Sequence, residues 1–278
     1  MSIPRWEIDE LKIRYTLEPE LDDIFVEGMS DKKIVDRAFR EGKIQRPVYD
    51  INSVNIPACI VEKYGLTSGN KQRVIALCQE LALGEAAKVC FLVDRDTDGY
   101  DSDAIALPRL IYTPLPDLMA VILDDEIIHD ILQDAGRLTI QDWDKFYKSF
   151  LIVLLEIFSI RIAFKSCGIN RKLPELKKSL RFEGGSIFLD IDNLLSRCQF
   201  VGQSGGDVLI NHQKWIAHLT ENNVERLFRS HDATEVMAWL IKRYGSSKGI
   251  ADGLHDLIVL LVPRRHQEIA KIFGSNDC

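Results

Sequence analysis

Residues 90–99, CFLVDRDTDG, place an apolar run directly before the aspartates Asp94, Asp96 and Asp98. A run that is apolar throughout is typical of a parallel strand that is covered on both faces. Residues 24–33, IFVEGMSDKK, repeat the arrangement, with a shorter apolar run that ends at Glu27. Because open α/β sheets bind ligands where their strands end, the two stretches predict an acidic crevice.

Strand-like and helix-like segments alternate around these two stretches. The predicted strands are 24–26, 48–54, 89–93 and 110–113. One predicted helix is capped by Ser30 or Asp31 and continues to about Arg40, and another spans 71–83 and stops at Gly84. This alternation predicts an α/β fold with a parallel sheet flanked by helices.

The pattern changes after about residue 115, where helical periodicity predominates. The predicted helices are 118–132, 143–167, 215–219, 235–244 and 255–261, with turn-rich breaks at 183–186 and 202–206. We therefore predict a lead-in segment at 1–20 with an edge strand near 11–17, an α/β domain at 21–125 and a mainly helical domain at 126–278.

Composition narrows the class of protein. The 278 residues are 46% hydrophobic and 28% charged, and the six cysteines are scattered. The apolar segment 150–164 is interrupted by Glu156 and Arg161 and predicts a buried helix. With no export signal visible, we expect a cytoplasmic protein that does not enter a membrane. The net charge of −7 argues against indiscriminate binding to duplexes, although basic residues between Lys165 and Glu183 could meet phosphates or form a solvated face.

The DRDTDG sequence has several interpretations. An EF-hand loop starting at Asp94 would need a glutamate at its twelfth position, where Ile105 stands. A haloacid-dehalogenase motif would need threonine in place of Asp98. An Asp-rich turn that caps backbone N–H groups remains open, as does an ion pair between Glu27 and Lys32 or Lys33. The joint presence of Glu27 and the Asp94–Asp96 pair favours a metal site for Mg²⁺ or Mn²⁺.

These motifs resemble the Toprim family. That family has a glutamate after its first strand, as in VEGMSDKKI at 26–34, and an Asp-x-Asp after a later strand, as in FLVDRDTDG at 91–99. The segments SGNKQRVIAL at 68–77 and LHDLIVLL at 254–261 add to a resemblance to Toprim proteins that work with ABC-type ATPases in bacterial anti-phage defence. These proteins are related to the overcoming-lysogenization-defect nucleases. Among them, the chain most resembles the effector of PARIS-type systems. The Toprim motifs cover about residues 20–125.

The resemblance implies a metal-dependent endonuclease that acts as a toxic effector in bacterial cytoplasm. Glu27 would be the general acid or base or a metal ligand, and Asp94 and Asp96 would hold the metal, with Asp98 as a further ligand. The substrate would be DNA or a structured RNA such as tRNA, and an ABC-type ATPase would be the controlling partner. Lys71, at a predicted helix start, either binds phosphate or is an ordinary exposed lysine. A homodimer is expected only from the general frequency of such assemblies.

Other motifs and functions are less favoured. Asp190 and Asp192 form a second Asp-x-Asp, for which helix capping by Asp192 is the better interpretation. The acids at 124–126 are expected on an exposed helical turn, and His255 and Asp256 as a half-buried pair. The histidines show no metal-ligand spacing. A non-catalytic Toprim-fold subunit of an ATPase complex is the alternative function. A topoisomerase or primase is discounted because the chain is short and has no zinc-binding module.

Overall fold

The computed structural model describes residues 5–82, 87–100, 104–198, 200, 204–221 and 226–274. The chain forms two compact units. We call the first the sheet unit, and it comprises Met1–Arg95, Ala104–Ile122 and Val259–Cys278. We call the second the helical unit, and it comprises Asp96–Asp103 and Leu123–Ile258.

The strands are β1 (Trp6–Glu7), β2 (Ile24–Val26), β3 (Val48–Asp50), β4 (Val54–Asn55), β5 (Cys90–Val93), β6 (Leu110–Tyr112), β7 (Leu180–Glu183) and β8 (Ser186–Leu189). The α-helices are α1 (Ile8–Leu17), α2 (Met29–Gly42), α3 (Ala58–Lys63), α4 (Asn70–Leu81), α5 (Leu118–Ile122), α6 (Asp125–His129), α7 (Trp143–Ser166), α8 (Ile191–Ser196), α9 (Ser204–Glu221), α10 (Ser230–Tyr244), α11 (Leu254–Leu261) and α12 (His266–Gly274).

The sheet unit is built on a parallel sheet with the strand order β3-β2-β5-β6. Every residue of β2 and β5 is buried. Phe25 of β2 stacks on Tyr49 of β3 and on Phe91 of β5, each with ring centroids 5.6 Å apart. Helix α2 packs on β2 and β3, and α4 packs on β5. The predicted parallel sheet with flanking helices is therefore confirmed, because an apolar strand can be buried only if both faces are covered.

The predicted second strand and second helix are shorter than expected. The segment predicted as one strand at 48–54 consists of β3, a 3₁₀ turn at Ile51–Ser53, and β4. The Asp50 side chain accepts a hydrogen bond from the Asn52 N–H at 2.9 Å, which stabilises that turn and interrupts the strand. Helix α4 ends at Leu81, and the predicted stop at Gly84 lies outside the described residues.

The prediction of an edge strand near residues 11–17 is wrong, because this segment belongs to helix α1. Ile8, Leu11 and Tyr15 are all buried, and their spacing is that of one helical face. The Glu10 side chain accepts a hydrogen bond from the Glu7 N–H at 2.9 Å at the start of the helix. Ile8, Leu11 and Tyr15 thus belong to the core of the sheet unit, and residues 8–17 are not a lead-in.

The C-terminal helix also belongs to the sheet unit, whereas the sequence grouped it with the helical domain. Helix α12 packs on α2, and the Phe273 ring meets the Phe39 ring edge-on with centroids 5.3 Å apart. Ile269, Ile272 and Phe273 form its buried face. An amphipathic helix can cover either unit, so periodicity alone did not decide where it packs.

The helical unit contains the predicted buried helix, observed as α7. The predicted helix 118–132 is divided into α5, α6 and a π-helical turn at Asp130–Ala135. The predicted break at 183–186 is the turn of an antiparallel hairpin formed by β7 and β8. Gly184 and Gly185 have φ angles of 56° and 79°, which glycine adopts without strain.

Among the described residues, no helix is both long enough and apolar enough to cross a membrane.

Candidate functional site

Glu27 and Asp94 lie side by side at the carboxyl edge of the parallel sheet. They follow β2 and β5, which pair directly in the register Phe25 to Phe91. The Asp94 N–H donates a hydrogen bond of 2.8 Å to Glu27 Oε1, and both residues are partly buried. The sheet register therefore brings together the first two of the predicted ligands.

Asp31 joins this edge from the first turn of α2. Its Oδ2 accepts a hydrogen bond from the Gly28 N–H at 3.1 Å, which ties the start of the helix to the residue after Glu27. Burial raises the pKa of Asp31 to about 6; the Gly28 N–H lowers it, and the nearby Asp117 carboxylate raises it. The sequence identified Asp31 only as a possible helix cap.

Asp117 completes the acidic edge and was not predicted. It follows β6, and its Oδ1 accepts a hydrogen bond of 2.8 Å from the Ala120 N–H. The next residue, Leu118, donates its N–H to Asp94 Oδ1 at 3.1 Å. Glu27 and Asp94 directly follow their strands, whereas Asp117 lies five residues after β6, in the TPLPD segment. The strand-end rule, extended to the loop after β6, would have included Asp117. We define the acidic edge as Glu27, Asp31, Asp94 and Asp117.

Lys71 lies in the first turn of α4, as predicted. Its ammonium donates to the Arg95 carbonyl at 3.3 Å and lies 5.7 Å from the centre of the Tyr112 ring. The side chain is partly buried rather than exposed. The interpretation as an ordinary exposed lysine is therefore wrong, and a role in binding phosphate stays a prediction.

Asp96 and Asp98 belong to the helical unit, where both lie near cations. Asp96 Oδ1 is 3.7 Å from an Arg229 guanidinium nitrogen, and Asp98 Oδ1 is 3.6 Å from Lys165 Nζ. Asp96 has a φ angle of 50°, a left-handed conformation that aspartate tolerates better than most residues. Their predicted role as metal ligands stays a prediction.

Another group in the helical unit has side chains that could hold a metal ion, and the sequence did not reveal it. The potential ligand atoms of His129, Asp130 and Asp134 all lie within 4.8 Å of one another. His129 Nε2 is 2.8 Å from Gln133 Nε2, which holds the imidazole ring. The sequence spacing of these three residues, HD-x3-D, matches no recognised ligand pattern, and Asp130–Ala135 form a π-helical turn.

The minor motifs have structural roles. Asp190, not Asp192, caps α8, and its Oδ1 accepts the Asn193 N–H at 3.0 Å. Asp124 caps α6 in the same way. His255 and Asp256 are 3.8 Å apart and both exposed, so the expectation of a half-buried pair is wrong.

Comparison of the sequence with known protein families and with curated proteins gave no match.

Proposed function

We propose that the chain is a Toprim-class nuclease that hydrolyses phosphodiester bonds of RNA, such as tRNA, or of DNA, with Mg²⁺ or Mn²⁺. The observation that carries this proposal is the pairing of Glu27 with Asp94 on adjacent parallel strands, joined by a hydrogen bond of 2.8 Å. In the Toprim family, which these motifs resemble, the catalytic carboxylates follow the two corresponding strands. Parallel strands that end together supply the crevice in which such sheets bind ligands.

The acidic edge fits a hard divalent cation. Its donors are carboxylate oxygens, which Mg²⁺ and Mn²⁺ prefer. The raised pKa of Asp31 reflects burial and the nearby Asp117 carboxylate, so negative charge is crowded where solvent is partly excluded. Glu27 and Asp94 would hold the metal, with Asp31 and Asp117 beside them. A bound metal would polarise the phosphate and lower the pKa of a bound water.

The residues of the chain itself have distinct tasks in this proposal. Glu27 is fixed by the Asp94 N–H and acts as the proton acceptor or donor. Lys71 is held at the end of β5 by the Arg95 carbonyl and supplies positive charge for a phosphate. The N-terminus of α2 begins immediately after Glu27 and favours negative charge there.

A non-catalytic Toprim-fold subunit of an ATPase complex is the second candidate. The observation that favours it is the proximity of Asp96 to Arg229 and of Asp98 to Lys165. These cations offset the charge of both aspartates without a metal. In that case the acidic edge would be the remnant of a former metal site, or it would contact the ATPase partner.

Cleavage by the purified chain distinguishes the two candidates. Total tRNA, single-stranded RNA and supercoiled and linear DNA are incubated with Mg²⁺, Mn²⁺ or EDTA. We expect metal-dependent cleavage that is lost in Glu27→Gln and in Asp94→Asn. Glu62→Gln, an equivalent charge removal at an exposed position of α3, is the control and should cleave normally. Cleavage that persists in Glu27→Gln would refute the site.

We further propose that the nuclease is a cytoplasmic effector of bacterial anti-phage defence, restrained by an ABC-type ATPase. This rests on the Toprim resemblance alone. Induced expression in bacteria should arrest growth for the wild type and not for Glu27→Gln at equal protein level. Equal arrest by both proteins would show that toxicity does not come from cleavage.

A further inference from the structure

A cavity of about 540 Å³ in the helical unit is lined by four basic side chains and one carboxylate among its described residues. The basic residues are Arg161, Lys165, Arg171 and Arg229, and the carboxylate is that of Asp96. Asp232, Asp98 and Asp96 pair with three of these cations, which leaves a local excess of one positive charge. The chain as a whole has a net charge of −7, so this excess has the opposite sign to the average of the protein. Clustered cations in a concave surface favour an anionic ligand.

Arg161 is held rigidly at the wall of the cavity. Its Nε donates to Asp232 Oδ2 at 2.8 Å and its Nη2 donates to Asp232 Oδ1 at 2.5 Å. Asp232 is only 1% exposed, so this two-point contact fixes the plane of the guanidinium. A guanidinium oriented in this way can bind an anion without losing further side-chain freedom.

Lys165 and Arg229 also have partners in the helical unit. Lys165 Nζ donates a hydrogen bond to Thr97 Oγ1 at 3.0 Å and lies 3.6 Å from Asp98 Oδ1, and an Arg229 guanidinium nitrogen lies 3.7 Å from Asp96 Oδ1. Arg229 Nε is buried and has no hydrogen-bond partner among the described residues. A buried guanidinium N–H without a partner costs free energy.

Five of the six basic residues between Lys165 and Glu183 divide into two groups in the structure. Ion pairs on the surface occupy three of them: Lys177 and Lys178 with Glu175, and Arg181 with Asp190. Lys165 and Arg171 instead line the cavity. Tertiary structure therefore selects two of these cations and adds Arg161 and Arg229 to them.

The remainder of the wall is partly apolar. Phe164, Ile169 and Leu173 contribute to it. The volume falls within the range of small-ligand pockets. We propose that this cavity binds a nucleotide phosphate, with the cations on the phosphate oxygens and the apolar wall beside the sugar or base. The source is a strand of RNA or DNA, or a free nucleotide. The strand source deepens the proposed nuclease function and rests on it.

Binding is measured in EDTA, so that cleavage does not contribute. The probe is a short 5′-phosphorylated, fluorescently labelled single-stranded RNA, and unlabelled RNA, AMP and inorganic phosphate are the competitors. The test variant is Arg171→Gln combined with Arg229→Gln. Arg171→Gln is also tested alone, because Arg171 is exposed and its substitution should leave the fold intact. Lys177→Gln, which removes a surface charge from the same stretch of basic residues, is the matched control.

We expect the double variant to bind about tenfold or more weakly. The slope of log affinity against log salt concentration should be smaller by about 1.4. Lys177→Gln should bind like the wild type. Competition by AMP would identify a free nucleotide as sufficient, and competition by RNA alone would identify a strand. Wild-type affinity in the double variant, equal weakening by Lys177→Gln, or no binding by the wild type would each overturn the proposal.

The result separates this proposal from the nuclease proposal. Glu27→Gln should retain binding, since Glu27 belongs to the sheet unit and does not line the cavity. Binding without cleavage by the wild type would support the cavity and count against the nuclease. If the double variant cleaves and binds like the wild type, the nuclease proposal is supported and the proposal for the cavity is refuted.

Discussion

Neutralising Asp31 should stabilise the protein near neutral pH and have little effect in acid. Burial, and then the Asp117 carboxylate, raise the pKa of Asp31 from 3.8 to about 6, against the lowering effect of the Gly28 N–H. The folded state therefore binds a proton more tightly than the unfolded state, and stability falls as the pH rises from about 4 to about 6. Each pH unit corresponds to about 1.4 kcal/mol, so the cost at neutral pH is at most about 3 kcal/mol.

Solvent reaches this partly buried carboxylate, which reduces the expected cost to roughly 2 kcal/mol. Asp31→Asn keeps an oxygen that accepts the Gly28 N–H and nearly keeps the side-chain volume. We expect it to raise the free energy of unfolding by roughly 2 kcal/mol at about pH 7.5 and by almost nothing at about pH 4.

The assay is urea unfolding followed by circular dichroism, in EDTA, at several pH values. The control is Asp36→Asn on the same helix, which removes the ion pair with Lys32 and should cost about 0.5 kcal/mol or less. A difference between Asp31→Asn and the wild type that is the same at both ends of the pH range would refute the reasoning, as would the absence of any stabilisation at about pH 7.5.

Three further predictions follow from the packing and the charges. Asp232→Asn should destabilise the helical unit by about 3 kcal/mol, because it leaves the Arg161 charge without its buried partner; a loss below about 1 kcal/mol in urea unfolding would contradict this. Leu11→Ala should cost about 2–4 kcal/mol in the same assay, since Leu11 is fully buried; a negligible cost would mean that residues 8–17 are a loose lead-in after all. Mg²⁺ should raise the melting temperature of the wild type at neutral pH more than that of Asp94→Asn; equal shifts in the two proteins would argue against metal binding at the acidic edge.

Much of the sheet unit was predictable because its signals are local. The strands β2 and β5 are short, apolar throughout and followed by acids, and no other element type fits such runs as well. The face of α2 formed by Ile34, Val35, Ala38 and Phe39 has helical periodicity, and all four residues are buried. The misassigned segment at 11–17 shows the limit, because a short run with few buried residues fits both periods until its neighbours are known.

The candidate site was predictable only in part. Glu27 and Asp94 each end a strand, and parallel pairing brings such residues together whatever the remainder of the chain does. Asp117 lies five residues beyond the end of β6 and was missed because the PLPD segment resembles an ordinary loop. Arg161 stands four residues before Lys165 in the predicted helix, so helical spacing places these two cations on one face. Arg229 is distant from both in sequence and carries no local signal for the cavity.

The sequence by itself determined the parallel sheet, the long buried helix α7 and the two strand ends that carry Glu27 and Asp94, because these follow from hydrophobic periodicity and from the geometry of parallel strands. Only the tertiary structure decided that α12 packs on the sheet unit, that Asp31 and Asp117 share the acidic edge, and that Asp96 and Asp98 lie near Arg229 and Lys165. Those outcomes depend on contacts between residues far apart in the chain, and local patterns do not encode which distant partner a charged side chain or an amphipathic face will meet.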